Sequence, residues 1–112
     1  MDLRKIRRAD VQCAVTFSGD RLAGSGMVYN LSTGGCAIRS ERSLQKGAYL
    51  ALRVELPGQA VPLAVDMAVV EWAHQSEFGL RFISMQDAET SRLRNTLGAL
   101  ERMTGAAGAG IS

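Results

Sequence analysis

Two cysteines, two prolines, one histidine and one tryptophan stand in a chain of 112 residues. Cys13 and Cys36 lack the CxxC spacing of a metal or redox pair, and two thiols build no disulfide framework. Both lie in apolar, strand-like surroundings, so they read as small buried hydrophobes of a cytosolic protein. His74 follows a strand near a turn and has no Asp or Cys set beside it, so no metal is expected there. Aromatic residues make up only 5% of the chain. A core of Val, Leu, Ile and Ala is therefore expected, and few rings remain for stacking single-stranded nucleic acid. The N-terminus has no apolar stretch of the signal-peptide kind, and no apolar run approaches the roughly 20 residues that span a bilayer. A cytoplasmic domain without membrane insertion is expected. A nucleophile–base pair, a metal cluster and a cofactor loop are all lacking, which argues against an enzyme.

What is present is a single domain's worth of alternating strands. The apolar fraction is 46%, the charged fraction 21% and the net charge +2, close to globular averages. The distribution of charge says more than its sum. Arg4, Lys5, Arg7 and Arg8 lie within five residues, and a local cluster on a nearly neutral domain suits a small anionic ligand better than a long nucleic acid. Taken alone, the cluster reads first as a solvated, disordered tail.

Residues 1–9 are expected to form a flexible basic arm, residues 10–103 the folded domain and residues 104–112 a disordered Gly/Ala tail. Val11, Cys13, Val15 and Phe17 alternate as one face of a strand. Ser18-Gly19-Asp20 reads as a turn. A second strand over about 25–31 has Met27, Tyr29 and Leu31 in phase. Cys36, Ala37 and Ile38 begin a third. Residues 40–47 form an exposed loop anchored by Leu44. Leu50, Leu52, Val54 and Leu56 mark the clearest strand, ended by Pro57-Gly58. Over 61–73, Val61, Leu63, Val65, Met67 and Val69 keep one phase and Val70 and Trp72 the other; this slip predicts a β-bulge near Val69-Val70. Phe78, Leu80 and Phe82 alternate in the last strand. A helix follows, with Asp87 as its expected cap and Leu93, Leu97 and Leu100 as its apolar stripe; Gly98 permits close packing on the sheet. The fold class is all-β dominated: a six-stranded antiparallel barrel with a C-terminal helix.

Between the second and third strands lies Asn30-Leu31-Ser32-Thr33-Gly34-Gly35. Asn30 and Ser32 can bond their own backbone or a ligand, and Gly34 and Gly35 allow positive φ and a close approach. By itself this is an ordinary hairpin turn. Joined with the basic cluster it resembles the PilZ domain family. The family's R-x-x-x-R is matched by Arg4-Lys5-Ile6-Arg7-Arg8, and its [D/N]-x-S-x-x-G by Asn30 to Gly35. Val69-Val70-Glu71-Trp72 and Phe78-Gly79-Leu80-Arg81-Phe82 look like the family's late strands, so the likeness covers about residues 4–100. It implies a split β-barrel and a bacterial receptor for the second messenger cyclic di-GMP.

On that resemblance Arg4 and Arg8 bind phosphate and guanine, Asn30 and Ser32 bond a guanine or phosphate, and Gly35 leaves space for the base or shapes the turn. Lys5, Arg7, Gly34 and Trp72 are secondary candidates; Trp72 reads first as a partly buried packing residue and only second as a ligand platform. Arg39, Arg53 and Arg81 alternate outward and read as solubility residues. The ligand orders the arm, and a separate downstream protein reads the result, the receptor being a monomer or a ligand-dependent dimer. The alternative is a PilZ-like adaptor that binds proteins without nucleotide.

Overall fold

The computed structural model describes residues 8–111, with side chains over 10–102. Six strands and one helix follow in order: β1 (Arg8–Gly19), β2 (Leu22–Ser32), β3 (Gly35–Arg39), β4 (Tyr49–Val54), β5 (Leu63–His74), β6 (Glu77–Ser84) and α1 (Asp87–Ile111). All pairings are antiparallel, and the sheet closes on itself in the order β1-β2-β3-β6-β5-β4. The six-stranded antiparallel barrel with a C-terminal helix is thus the observed architecture.

The interior follows the period-2 pattern along β1 and β4, although β1 slips against β2 between Asp10 and Cys13. Val11, Cys13, Val15 and Phe17 all point inward, as do Leu50, Leu52 and Val54 with Leu56 beyond the strand. Where the pattern fails, a bulge intervenes. β2 slips between Val28 and Asn30 against β3, so Val28 and Leu31 are buried, Met27 is exposed and Tyr29 half-buried. The expected phase of Met27, Tyr29 and Leu31 is corrected accordingly: an extra residue flips every side chain before it to the other face. In β5 the change of phase comes earlier than expected. Leu63 and Val65 point inward, Asp66 and Met67 both face out, and Ala68 and Val70 return to the interior. A second irregularity between Val70 and Trp72 makes Glu71 the extra residue opposite β6.

The hairpin turns are tighter than expected. Asp20-Arg21 links β1 to β2 with Arg21 at φ 58°, and Gln75-Ser76 links β5 to β6 with Gln75 at φ 57°. β1 begins at Arg8, three residues before the alternation that starts at Val11. Residues 1–7 of the expected arm lie outside the described residues. In the 40–47 loop Leu44 is the buried anchor, but Ser40 is buried too, donating to the Ser25 carbonyl at 2.7 Å and accepting from Arg42 N–H at 3.0 Å.

α1 packs on β5 and β1 at one end of the barrel. Leu93 and Leu97 enter the core, and Leu100 packs at its border. The Gln86 carbonyl accepts from Thr90 N–H at 2.9 Å, so Gln86, not Asp87, caps the helix; Asp87 and Glu89 place negative charge in the first turn, where the helix dipole favours it. A Cβ on Gly98 would meet only the Arg102 side chain, so Gly98 serves no close approach to the sheet. The helix runs to Ile111, through most of the segment expected as a tail; Ala106, Ala107 and Ala109 are strong helix formers there.

Polar contacts fix the helix in place. Glu89 accepts from Ala64 N–H at 2.8 Å and pairs with Arg92 at 2.9 Å. Arg92 also donates to the Val61 and Pro62 carbonyls and to Gln59, while Gln59 donates to the buried Thr96 at 2.6 Å. Residues 59–62 are thereby strapped to the helix. The Ala64 hydrogen bond and then Arg92 hold the Glu89 carboxyl below its ordinary 4.5, against the opposing pull of burial. A depressed folded-state value means stability that is full above the unfolded-state value and lost as pH falls through the folded one. Acidification from about pH 6 to about pH 3 is expected to destabilise the wild type more than Glu89→Gln, as urea titrations at each pH will show. Leu93→Ala is expected to lose about 2–5 kcal/mol in the same titrations, because Leu93 is fully buried where helix meets barrel.

Candidate functional site

The outer face of β2, β3, β6 and β5 carries a shallow groove of about 430 Å³. Its floor is made by what those strands lack. Gly35, Ala37 and Gly79 stand where longer side chains would fill the hollow, and Asn30, Trp72, Glu71 and Arg81 rise around them. Gly79 lies beneath the indole: a Cβ there would overlap the Trp72 ring. The indole remains 44% exposed. The inward phase of Ala68 and Val70 would bury Trp72, and the extra residue Glu71 is what turns it out. A larger hollow of about 700 Å³ lies between Ser25–Met27, Arg39–Arg42 and Ser76. It contains none of the motif residues.

The structure brings the turn motif together with the end of the basic motif. In the β1–β2 register Arg8 lies opposite Ser32 and Asp10 opposite Asn30. The backbone that delivers Arg8 is therefore hydrogen-bonded to the strand that delivers the turn. Arg4, Lys5 and Arg7 lie outside the described residues.

Within the turn, Ser32 is 8% exposed. Its hydroxyl accepts from Gly34 N–H and Gly35 N–H and donates to the Gly35 carbonyl, each at 3.2 Å. A hydroxyl has one hydrogen to donate and two lone pairs to accept with, so Ser32 is fully engaged in shaping its own turn. Neither Gly34 nor Gly35 has positive φ; the left-handed glycines are Gly47 and Gly58. Gly35 is required for a different reason. A Cβ there would overlap the Leu80 carbonyl, because β3 and β6 pair with Gly35 opposite Arg81. Gly34 meets nothing and is exposed; its carbonyl accepts from Phe82 N–H at 2.8 Å, fastening the turn to β6.

Asn30 is half-buried, and its amide nitrogen donates to Asp10 Oδ1 at 3.3 Å. Arg81, read from sequence as a solubility residue, stands in the groove wall and holds Glu71 through Nε at 2.7 Å. Both side chains are more than half exposed, so the pair adds little stability. Arg39 and Arg53 are exposed and lie outside the groove. Arg39 stacks 4.2 Å from the Tyr29 ring centroid, and Tyr29 donates to Glu77 at 2.7 Å. Burial first, then the Glu77 hydrogen bond, pushes the Tyr29 hydroxyl up to about 12, so it stays a donor. This cluster stiffens the sheet beside the groove.

The two thiols are free and buried. Burial raises Cys13, with Glu55 adding to it, and pushes Cys36 up to about 12; both are thus held as inert thiols. His74 is exposed. Among the described residues no group of His, Cys, Asp and Glu is assembled to hold a metal. No helix there is long and apolar enough to cross a membrane.

The chain is thus a closed six-stranded barrel with a small-residue groove on its outer face, flanked by an Asn-Ser-Gly turn and the end of the basic segment. The sequence model of the PilZ domain matches residues 2–99, and the chain belongs to the PilZ domain family. Solved structures agree on the fold. The PilZ domain of YcgR from Escherichia coli, solved with c-di-GMP, is similar at a TM-score of 0.73 and 18% identity, covering 96% of this chain and 98% of that one. The PilZ domain of CeSA from a cellulose-synthesising bacterium is similar at 0.65 and 17% identity, covering 84% and 97%. The Bacillus subtilis inhibitor of motility MotI/DgrA is similar at 0.70 and 22% identity, with 93% of this chain and 52% of that one covered. The chain thus spans about half the length of MotI/DgrA. None of the curated proteins matches it in sequence.

Trp72 is the sole tryptophan, so its fluorescence reads the groove floor directly. Gly79→Ala is expected to displace the indole and shift its emission to the red while the melting temperature changes little, because the ring has open solvent to move into. An unshifted spectrum would show that the indole does not rest on Gly79.

Proposed function

We propose that this chain is a receptor for cyclic di-GMP, bound in the groove between the Asn30–Gly35 turn and the basic segment that ends at Arg8. The observation that carries the reading is the β1–β2 register, which sets Arg8 opposite Ser32 beside a groove edged by an exposed tryptophan. The chemistry fits a dinucleotide with two phosphates and two guanines. Arginine forms bidentate bonds to phosphate and to the O6/N7 edge of guanine, and it stacks on bases. Arg4 and Arg8 take these roles, with Lys5 and Arg7 as supporting charge. Trp72 offers a ring face to one base, worth about 1–3 kcal/mol, and the Arg81 guanidinium stands beside it.

Ser32 and Gly35 serve the site by shaping the turn, which for Gly35 is one of the two roles expected. Ser32 holds the turn rigid through its own hydrogen bonds, and Gly35 lets β3 close on β6. Gly34, open on the outer side, leaves the turn's rim low. The fixed half of the site is therefore the turn and the groove; the residues before Arg8 bring Arg4 to the ligand and complete a surface that a partner reads. Ordering such a segment costs about 2–5 kcal/mol, and charge-assisted bonds worth about 1.5–3 kcal/mol each offset it. The role is that of a receptor, not an enzyme.

Isothermal titration with cyclic di-GMP tests this. The wild type is expected to bind at micromolar ligand or below. Arg8→Ala is expected to weaken binding at least tenfold, about 1.4 kcal/mol, at unchanged melting temperature. Ser32→Ala is expected to weaken binding and lower stability by about 1 kcal/mol, since it releases two turn N–H groups. Absence of heat with wild-type protein at high micromolar ligand would overturn the reading and leave an adaptor that binds proteins without nucleotide.

A further inference from the structure

Glu71 puts a negative charge into a groove proposed for a dianion. The bulge in β5 explains how it comes to lie there. Val70 points into the barrel, and in a regular strand only one of the next two residues would face out. The irregularity between Val70 and Trp72 leaves Glu71 and Trp72 both exposed on the outer side. Glu71 Oε2 accepts from Arg81 Nε at 2.7 Å, and both residues line the groove.

Arg81 has two unlike neighbours across the sheet. Its register partners are Gly35 on β3 and Val69 on β5. Toward β3 it meets no side chain, and the turn that ends at Gly35 holds Ser32, opposite Arg8. Toward β5 it meets Glu71. A guanidinium carries five N–H donors. Only the Nε donor is engaged; among the described residues the four Nη hydrogens make no hydrogen bond. Arg81 is thus neutralised in the free protein with most of its donors unused.

The pair is open to solvent, with 56% of the Arg81 side chain and 51% of Glu71 exposed. An ion pair of this kind is held weakly, so an anion of better geometry replaces it. A phosphate diester has two unesterified oxygens, which accept in parallel from the guanidinium fork. A neutral base edge supplies no counter-charge and competes poorly with the carboxylate. In the exchange no covalent bond changes: Arg81 leaves Glu71 for the phosphate, and Glu71 turns to water.

Resting on the cyclic di-GMP reading, we infer that Glu71 is a resident counter-ion that competes with a ligand phosphate for Arg81, and so raises the messenger concentration at which the receptor fills. Removing the competitor then tightens binding, which loss of structure does not do.

The test is isothermal titration of the full chain with cyclic di-GMP for the wild type, Glu71→Gln, Arg81→Met and the Glu71→Gln/Arg81→Met double variant. It is run at about 0.15 M salt, where charges more than about 8 Å apart are screened. Glutamine keeps the side-chain length and removes the charge. Melting temperatures verify that each protein is folded. Glu71→Gln is expected to bind about five- to tenfold more tightly, and Arg81→Met about fivefold or more weakly. With Arg81 absent, Glu71→Gln is expected to gain about twofold at most, because there it removes only a screened repulsion. Unchanged or weaker binding by Glu71→Gln overturns the inference, weaker binding making Glu71 a residue that positions Arg81. An equal gain with and without Arg81 also overturns it, since Glu71 would then act by repulsion alone. If the wild type shows no binding, the receptor reading itself fails and takes the inference with it. Wild-type binding with any of the other adverse outcomes sinks the inference alone.

Discussion

Everything in this molecule depends on β1 being bonded on both sides. It pairs with β2 along one edge and with β4 along the other, and through it the sheet closes. An open six-stranded sheet would leave two rows of unpaired N–H and C=O groups. Closure removes them, and it also fixes β1 in one register, because Val11, Cys13, Val15 and Phe17 fill the interior only in that register. A slip of β1 against β2 between Asp10 and Cys13 then sets Arg8 opposite Ser32 and Asp10 opposite Asn30. The candidate site is thus held by the same hydrogen bonds that hold the barrel.

The groove comes from departures from regularity laid on that closed frame. Bulges at Tyr29 and Glu71 change the side-chain phase in two strands that flank it. The first removes Tyr29 from the interior and lets it meet Glu77 and Arg39. The second turns Trp72 outward over Gly79. Small residues then leave the floor low: Gly35 because the β6 backbone comes too close for a Cβ, Gly79 because the indole covers it. Such sites need rigidity, and Ser32 supplies it by tying three backbone groups of its own turn. The far end of the barrel is held differently. There Arg92 gathers the strand-connecting segment 59–62, and Leu93 and Leu97 close the core.

Much of the fold was legible because strand alternation is a local signal. β1, β4 and β6 follow it closely, and the leucine stripe of the helix is equally plain. The pattern misled at β2, where Met27 and Tyr29 share the phase of Leu31 in the sequence but not in space. It also misled at Met67, which alternates with Val65 and yet faces solvent. A bulge is one extra residue in a strand, and it is set by what the neighbouring strands require. Gln86 displaced Asp87 as the helix cap for a similar reason: the chain leaving β6 decides where the first turn can begin.

By itself the sequence determined the class of fold, the family motifs and the residues proposed for a ligand site. Alternation, turn chemistry and motif spacing are properties of short stretches, and short stretches carry them. The tertiary structure alone decided that Ser32 is engaged in its turn, that Arg81 belongs to the groove wall, that Trp72 faces outward and that Asp10 holds the Asn30 amide. Each of these joins residues far apart in the chain, or depends on a bulge between strands, and the register that brings them together exists only once the barrel has closed.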